Sequence, residues 1–491
     1  MTRRDFLGNT LAALGFAALP GGFLFAAPPG WKRGGKPNLV FGVVADTHLR
    51  TAYNGRTIGK MWTPRYFQAA LEFFRDAGVD AVMHCGDFAH RGQVAEMQFH
   101  ADVWNRVFAG RQKPVKLFAT GNHDVIGSTY GDFVAKIYPD ETERAKHVFA
   151  NDIAAHWERI WGEKYEGVWH KEVKGYHFFG RHYEMPVGAL PEAVLSGAEK
   201  FSLKGSRPFF IVQHRIPPKG QRDALRGFPN AMAFFGHWHV SNADWRTVIL
   251  NKFPAIQCGA CRPDGGNGLP DDGVAKAALQ GCESLSQSRE GLLVRVYDDM
   301  LVIERREFGE GGSLGADWVM PFGKYAPHPF SQEELKKVIG EPQFRKGAKL
   351  EVSLDSNCNK IEKTADNNPV NPVNPVQDDS ASPRLTPLAT AIAARSARGI
   401  RVRIPLADGN PDSRVYAYEV VVVGDDASKK LLKAVYAAGC NLGIGHEPDG
   451  GVTTLEIPKD ELPPGKRLTI AARPLTSLGT YGRPISVEVH T

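Results

Sequence analysis

Val115-Lys116-Leu117-Phe118-Ala119, followed after Thr120 by Gly121-Asn122-His123-Asp124, is the stretch on which the fold turns. The first five residues read as a short buried strand. The polar four therefore stand at a strand's carboxyl end, the usual ligand crevice of an open α/β sheet. Asn offers a neutral carbonyl oxygen, His a ring that titrates near pH 7, and Asp a carboxylate able to orient that ring.

Working outward, the same pattern recurs. Leu39 to Ala45 reads as a buried strand followed by Asp46-Thr47-His48, and Ala81 to Cys85 as another ending in Gly86-Asp87. Pro208 to Gln213 leads to His214, and Ala231 to Phe235 to Gly236-His237-Trp238-His239. Between the early strands, Thr63-Pro64 opens a helix whose Phe67, Ala70, Leu71 and Phe74 recur at helical spacing until Gly78. A second amphipathic helix spans Val94 to Phe108, and Val148 to Trp161 reads as a third. Val168 to Lys174 and Tyr176 to Phe179 form a hairpin about Gly175; Leu292 to Tyr297 and Met300 to Arg305 form one about Asp298-Asp299. The alternation of strands and helices predicts an α/β domain.

Each polar stretch alone reads equally well as a turn or a structural residue. As an ordered set they resemble the calcineurin-like metallophosphoesterase family over residues 39–305. That resemblance implies a four-layer sandwich, two mixed β-sheets flanked by helices, for a domain at 36–320. It also implies a pair of metal ions. Asp46, His48, Asp87 and His239 would hold one, and Asp87, Asn122, His214 and His237 the other, with Asp87 shared. His123 would bind substrate or protonate the leaving oxygen, and Asp124 would fix its tautomer.

The chemistry supports this choice of side chains. Two divalent cations about 3.5–4 Å apart share a hydroxide and clamp phosphoryl oxygens. Mixed nitrogen and oxygen donors suit Mn, Zn, Fe or Co. Asn122 adds a ligand without adding charge, which keeps the site cationic toward phosphate. Phe88-Ala89-His90 follows Asp87 where purple acid phosphatases carry a tyrosine, and Asn-His-Asp differs from the Asn-His-Glu of 5′-nucleotidases. His90, His170, His177 and His182 are not read as ligands. Arg50, Arg91, Arg181 and Arg215 lie near the motifs and read equally as phosphate binders or structural residues. Trp238, between two candidate ligands, packs against the site or lines its mouth.

Length and composition bound the rest. A chain of 491 residues accommodates several domains, and 42% hydrophobic with 23% charged residues is ordinary for a soluble protein. The net charge of +6 is small, with no dense basic block, so no nucleic acid is expected; a small phosphorylated substrate is what the family resemblance implies. Arg3-Arg4 before an apolar stretch from Leu11 to Leu19 looks like a twin-arginine export signal over 1–27, cut after Ala26 or Ala27. This predicts a periplasmic or extracellular protein with no stable membrane span. The six cysteines are too sparse for a disulfide scaffold; Cys85 reads as core, and Cys258, Cys261 and Cys282 as loop cysteines with room for one disulfide, the other readings being plain loop cysteines or a zinc site short of a fourth ligand.

Beyond Pro329 the pattern changes to alternating segments such as Ile400 to Ile404, Val415 to Val423 and Ile485 to Val489. They predict a smaller all-β sandwich over 330–491. Its last strands resemble fibronectin type III-like domains, and an Asn-Pro-Val repeat forms an insert at 365–380. The function expected is hydrolysis of phosphomonoester or phosphodiester bonds. The alternative is a non-catalytic surface or carbohydrate-binding protein on the same fold, and a nuclease comes third.

Overall fold

The computed structural model describes residues 25–28, 30–49, 52–53, 58–59, 65–125, 135–205, 207–239, 242, 247–251, 253–262, 289–309, 312–322, 330–355, 399–408, 415–425, 430–436, 452–476 and 479–490. Two mixed sheets form the first domain. Strands β1 (Phe25–Ala26), β2 (Leu39–Val44), β3 (Ala81–Cys85) and β4 (Val115–Ala119) belong to one sheet. Strands β5 (Val168–Val173), β6 (Tyr176–Arg181), β7 (Phe209–Val212), β8 (Ala231–Phe235), β9 (Val248–Asn251) and β10 (Phe253–Gln257) make the other. Strands β11 (Glu290–Val296), β12 (Met300–Glu307) and β13 (Trp318–Pro321) return to the first sheet, whose order is β1-β13-β12-β11-β2-β3-β4. The second sheet runs β9-β10-β8-β7-β6-β5. Strands β2, β3 and β4 are mutually parallel, as are β6, β7, β8 and β10, while the outer pairings are antiparallel. Parallel strands direct their carboxyl ends, and the loops that follow, to one edge of the sandwich.

The inner faces meet in a dry aromatic core. Phe41 of the first sheet packs edge-on against Phe178, Phe210 and Phe234 of the second, at centroid distances of 5.5, 5.1 and 5.7 Å. Each such buried ring contributes about 1.5–3 kcal/mol. Helices α1 (Arg65–Asp76), α2 (Val94–Val107) and α3 (Ile153–Trp161) cover the outer face of the first sheet, with Phe67, Ala70, Leu71 and Phe74 buried as their spacing demands. Helix α4 (Ala189–Gly197) covers the second sheet with Leu190 and Val194, and α5 (Lys219–Ala224) follows β7. The four layers expected are present.

Several boundaries differ from expectation. The helix read from Val148 to Trp161 is interrupted at Asp152, whose backbone leaves the helical region and whose carboxylate accepts the Ala155 N–H at 3.1 Å. An aspartate satisfies a free helical donor better as a cap than inside a helix. Cys258 and Cys261 are buried free thiols rather than partners in a disulfide; Cys258 lies 3.7 Å from Cys85, sulfur to sulfur. Cys282 falls outside the described residues, as do Thr63-Pro64, Arg3-Arg4 and the Asn-Pro-Val insert. Phe25–Ala27, read as the end of a removable leader, are buried. Phe25 and Ala26 pair with Val319 and Trp318, and the Ala27 N–H donates to Asp317 O at 2.8 Å. The folded body therefore includes Phe25. Helix α6 (Gln332–Ile339) also packs with this edge, Leu335 and Phe330 sharing a buried cluster with Phe25.

The C-terminal region is built of small antiparallel sheets. Strands β14 (Glu351–Asp355), β15 (Gly399–Ile404) and β18 (Thr453–Ile457) form one. Strands β16 (Val415–Val423), β17 (Lys430–Tyr436), β19 (Arg467–Thr476) and β20 (Ile485–His490) form the other. The two sheets share one apolar cluster containing Ile400, Val402, Tyr418, Val420 and Ile470. No described helix is long and apolar enough to cross a membrane.

Candidate metal centre

Five loops converge at the carboxyl ends of β2, β3, β4, β7 and β8. The loop after β2 is tied to the loop after β3 by backbone bonds. Asp46 N donates to Gly86 O (2.9 Å), His48 N to Asp87 O (3.0 Å) and Leu49 N to Phe88 O (2.9 Å). The third loop is tied to the second through side chains. Asp87 Oδ1 accepts the His123 N–H at 2.8 Å, and Asp124 accepts the N–H groups of Ala89 (2.7 Å) and Gly121 (2.8 Å). The fifth loop is held by Asp46, whose Oδ2 accepts the His237 N–H at 2.8 Å.

Asp46 (φ 52°), His48 (φ 44°), Asp87 (φ 56°), His237 (φ 73°) and His239 (φ 53°) all have left-handed backbones. That conformation costs a non-glycine residue on the order of 1 kcal/mol. It aims consecutive polar side chains inward from the strand ends. The intervening glycines are required by close approach. A Cβ on Gly121 would lie 2.1 Å from Asp87 Oδ1, and one on Gly236 2.3 Å from Asp46 Oδ2.

The donors fall into two groups. In the first, His239 Nε2 stands 3.0 Å from Asp46 Oδ1 and 3.1 Å from His48 Nε2. His48 Nε2 is in turn 3.5 Å from Asp87 Oδ2. In the second, His214 Nε2 is 3.2 Å from Asp87 Oδ2, 2.9 Å from Asn122 Oδ1 and 3.2 Å from His237 Nδ1. Asp87 Oδ2 faces both groups. Ligand atoms of Asp46, His48, Asp87 and His239 lie within 4.8 Å of one another, as do those of Asp87, His214 and His237. All seven residues singled out as metal ligands are thus in one neighbourhood.

Electrostatics fits a cationic occupant. Asp46 and Asp87 are 0% and 1% exposed, and among the described residues no lysine or arginine is paired with either, a placement that calls for compensating positive charge. Burial works against charge on His214, yet the Asp87 carboxylate beside it prevails and raises it to about 9. Burial drives His237 down to about 2. Two imidazole nitrogens 3.1–3.2 Å apart, with carboxylate oxygens at similar range, form a convergent lone-pair set that divalent first-row metals match.

The roles of two residues need correction. Asp124 does not touch the His123 ring; its oxygens are engaged by the two backbone N–H groups. The His123 tautomer is set instead by the His90 carbonyl, which accepts from Nδ1 at 2.9 Å. Burial, reinforced by the Asp87 charge, raises Asp124 to about 8. His90, not expected among metal ligands, has a ring nitrogen within 4.8 Å of nitrogens of His48 and His123. Of the remaining residues, Trp238 is buried and packs on Phe235. Arg181 is buried and donates to the carbonyls of Tyr183 and Met185. Arg215 stacks over the Tyr183 ring.

A buried relay behind the site was not anticipated. The Gly86 N–H donates to His84 Nδ1 (3.2 Å), which puts the His84 proton on Nε2, 3.1 Å from Thr47 Oγ1. The Thr47 hydroxyl donates to His100 Nε2 (2.7 Å), and His100 Nδ1–H to Glu96 O (3.1 Å). Both rings are neutral, since burial holds His84 well below its ordinary value and His100 at about 3. The relay clamps Thr47, between two of the ligands, to β3 and α2. In sequence both histidines sit in apolar patterns and look like ordinary core residues.

Residues 39–241 match the family model described as calcineurin-like phosphoesterase. Matching solved structures include a dimetal phosphatase from Danio rerio, at 10% identity, 57% of this chain, 100% of that one and TM-score 0.31. A purple acid phosphatase from yellow lupin (Lupinus luteus) seeds matches at 12% identity, 58% and 54% coverage and TM-score 0.36. A predicted phosphoesterase from Streptococcus pneumoniae matches at 14% identity, 58% and 97% coverage and TM-score 0.25. No curated protein sequence matches the chain.

Proposed function

We propose that the calcineurin-like phosphoesterase domain of this chain is a dinuclear metal-dependent hydrolase of phosphomonoesters or phosphodiesters. The observation that carries this reading is the convergence of seven donors from five strand ends, with the Asp87 carboxylate common to both groups. Asp46, His48, Asp87 and His239 would hold one ion, and Asp87, Asn122, His214 and His237 the other. Two such ions, Mn, Zn, Fe or Co, supply hydroxide near neutral pH and neutralise phosphoryl charge when bound. The chain's own part is orientation and proton supply. His123, with Nδ1 committed to the His90 carbonyl, presents Nε2 to the leaving oxygen. Asp124 is a positioning residue that joins the loops carrying Asp87 and His123. The partner is a small phosphorylated molecule rather than nucleic acid. Export is proposed from Arg3-Arg4 and the apolar stretch after them, with any cleavage before Phe25. The C-terminal sheets are proposed to be a fibronectin type III-like appendage.

The test is a metal-replete assay on p-nitrophenyl phosphate and bis-p-nitrophenyl phosphate, beside His123→Ala on esters of good and poor leaving groups. The reading requires hydrolysis that depends on metal. His123→Ala should keep its metal and lose about 10²–10⁴-fold in rate on poor leaving groups, and less on good ones. Two bound metals without turnover on any phosphoester would favour the binding-protein alternative.

A further inference from the structure

We propose that His48, His90 and His123 form an additional site for a nitrogen-seeking divalent cation, and that filling it switches the enzyme off. The inference rests on the phosphoesterase reading only for its effect on rate. The geometry is independent of that reading. One nitrogen of each ring lies within 4.8 Å of the other two. The His48 and His123 rings meet edge-on at 4.6 Å, and the His90 and His123 rings stack at 5.4 Å.

The three rings are held in advance of any ion. His48 and His90 stand on the paired loops after β2 and β3, joined by a parallel bridge between Leu49 and Ala89. The His90 N–H donates to Leu49 O at 2.9 Å. His123 is fixed to the same loops by its N–H on Asp87 and its Nδ1–H on the His90 carbonyl. With Nδ1 so engaged, His123 has Nε2 as its ligand atom. His48 has two usable edges. Its Nε2 faces Asp46, Asp87 and His239, while its buried Nδ1 has no hydrogen-bond partner. Metal-binding histidines ordinarily donate that second nitrogen to a fixed oxygen.

The donor set decides which ions enter. Three imidazoles without a carboxylate favour Zn²⁺, Cu²⁺ or Ni²⁺ and discriminate against Mn²⁺ and Mg²⁺. Each donor group of the pair includes carboxylate oxygen and tolerates Mn²⁺. For His48 to serve both, its remaining ring N–H must give its proton to solvent, so the extra ion sits beside the pair and binds more weakly. Once bound, it occupies Nε2, the atom that must carry the proton His123 gives the leaving oxygen, so excess zinc should inhibit.

Zinc titrated into the full chain loaded with Mn²⁺ tests this, with bound manganese and zinc counted after equilibrium dialysis and activity followed in parallel. Wild type should take up one zinc per chain beyond the two-metal complement and lose at least tenfold in rate. His90→Ala should stop at two metals, and its inhibition midpoint should move to at least tenfold higher zinc. His90→Cys, which restores a soft ligand, should recover the extra ion. Equal metal counts and equal midpoints in wild type and His90→Ala would overturn the proposal. A chain that binds no metal pair at all would instead overturn the phosphoesterase reading, so the two failures are distinguishable.

Discussion

The two halves of this chain treat buried charge in opposite ways. In the C-terminal sheets, Glu419 and Arg473 are buried together. The guanidinium donates to Oε2 at 3.0 and 2.7 Å, the Tyr481 hydroxyl donates to Oε1 at 2.7 Å, and the guanidinium lies over the Tyr481 ring at 3.6 Å. That network is closed. In the first domain, Asp46 and Asp87 face imidazoles whose lone pairs converge on the same space. The backbones differ to match. Every described non-glycine residue with a left-handed backbone lies at or before Arg289, and five of the eight are candidate ligands. Strain and unneutralised charge coincide at one edge of one domain. A fold built only for stability has no reason to put them there.

The contrast breaks most sharply under charge removal. Asp87→Ala should abolish metal-dependent hydrolysis, a loss of about 10³-fold or more, and binding of both metals, yet cost the metal-free protein only the ~1–3 kcal/mol of an orphaned His123 N–H. Glu419→Ala should do the reverse. Leaving Arg473 buried and unpaired should cost about 3–5 kcal/mol in stability with little change in turnover per folded molecule. Metal analysis and thermal melts of both variants separate the cases. A large loss of stability in the Asp87 variant would show that its carboxylate serves folding rather than metal.

The same contrast governs what could be read from sequence. Strand ends are legible because burial makes β2, β7 and β8 apolar throughout, and β3 and β4 largely so apart from His84 and Lys116, so the polar residues after each are conspicuous. The ligand residues follow from that pattern only together with the family resemblance that assigns them. Their left-handed backbones do not, because Asp and His tolerate that region without requiring it. The Thr47 relay was hidden for another reason: His84 and His100 are neutral core residues whose partners come together only in the folded chain. Asp124 was misjudged because adjacency in sequence suggested His123 as its partner, whereas its oxygens are nearer two backbone N–H groups. Phe25–Ala27 looked like the tail of an apolar leader, and an edge strand of the same composition cannot be told from it without β13. In the C-terminal half, alternation marks β14, β15, β16, β18, β19 and β20 but not β17 (Lys430–Tyr436).

Acid should sharpen the difference between halves. His100 and His182 are both held at about 3 by burial, against about 6.5 in an unfolded chain. Below 6.5 the unfolded chain takes up protons that the folded one refuses, so stability falls with pH from 6.5 down to about 3. At pH 5 each ring accounts for about 2 kcal/mol, a bound set by the linkage relation. No described histidine of the C-terminal sheets is buried in this way. All nine tryptophans lie at or before Trp318, so their fluorescence reports the first domain alone. Between pH 7 and 5 the tryptophan-detected midpoint in denaturant should drop while hydrogen exchange in β16 and β19 stays protected. A common loss in both halves would mean that they unfold as one unit.

The smallest effect expected tests whether the relay holds the site. Thr47→Val keeps the side-chain shape and removes the hydroxyl, leaving the His84 Nε2–H without an acceptor and His100 Nε2 without a donor. Each orphaned group costs about 1–3 kcal/mol. Part of that loss should appear as looser positioning of Asp46 and His48 on either side, weakening metal affinity about 10–100-fold, as loss of an outer hydrogen-bonding partner does elsewhere. Thr47→Ser restores the hydroxyl and should return both stability and affinity. If serine and valine behave alike, the hydroxyl is not what positions the two ligands. The backbone bonds between the β2 and β3 loops would then carry that task alone.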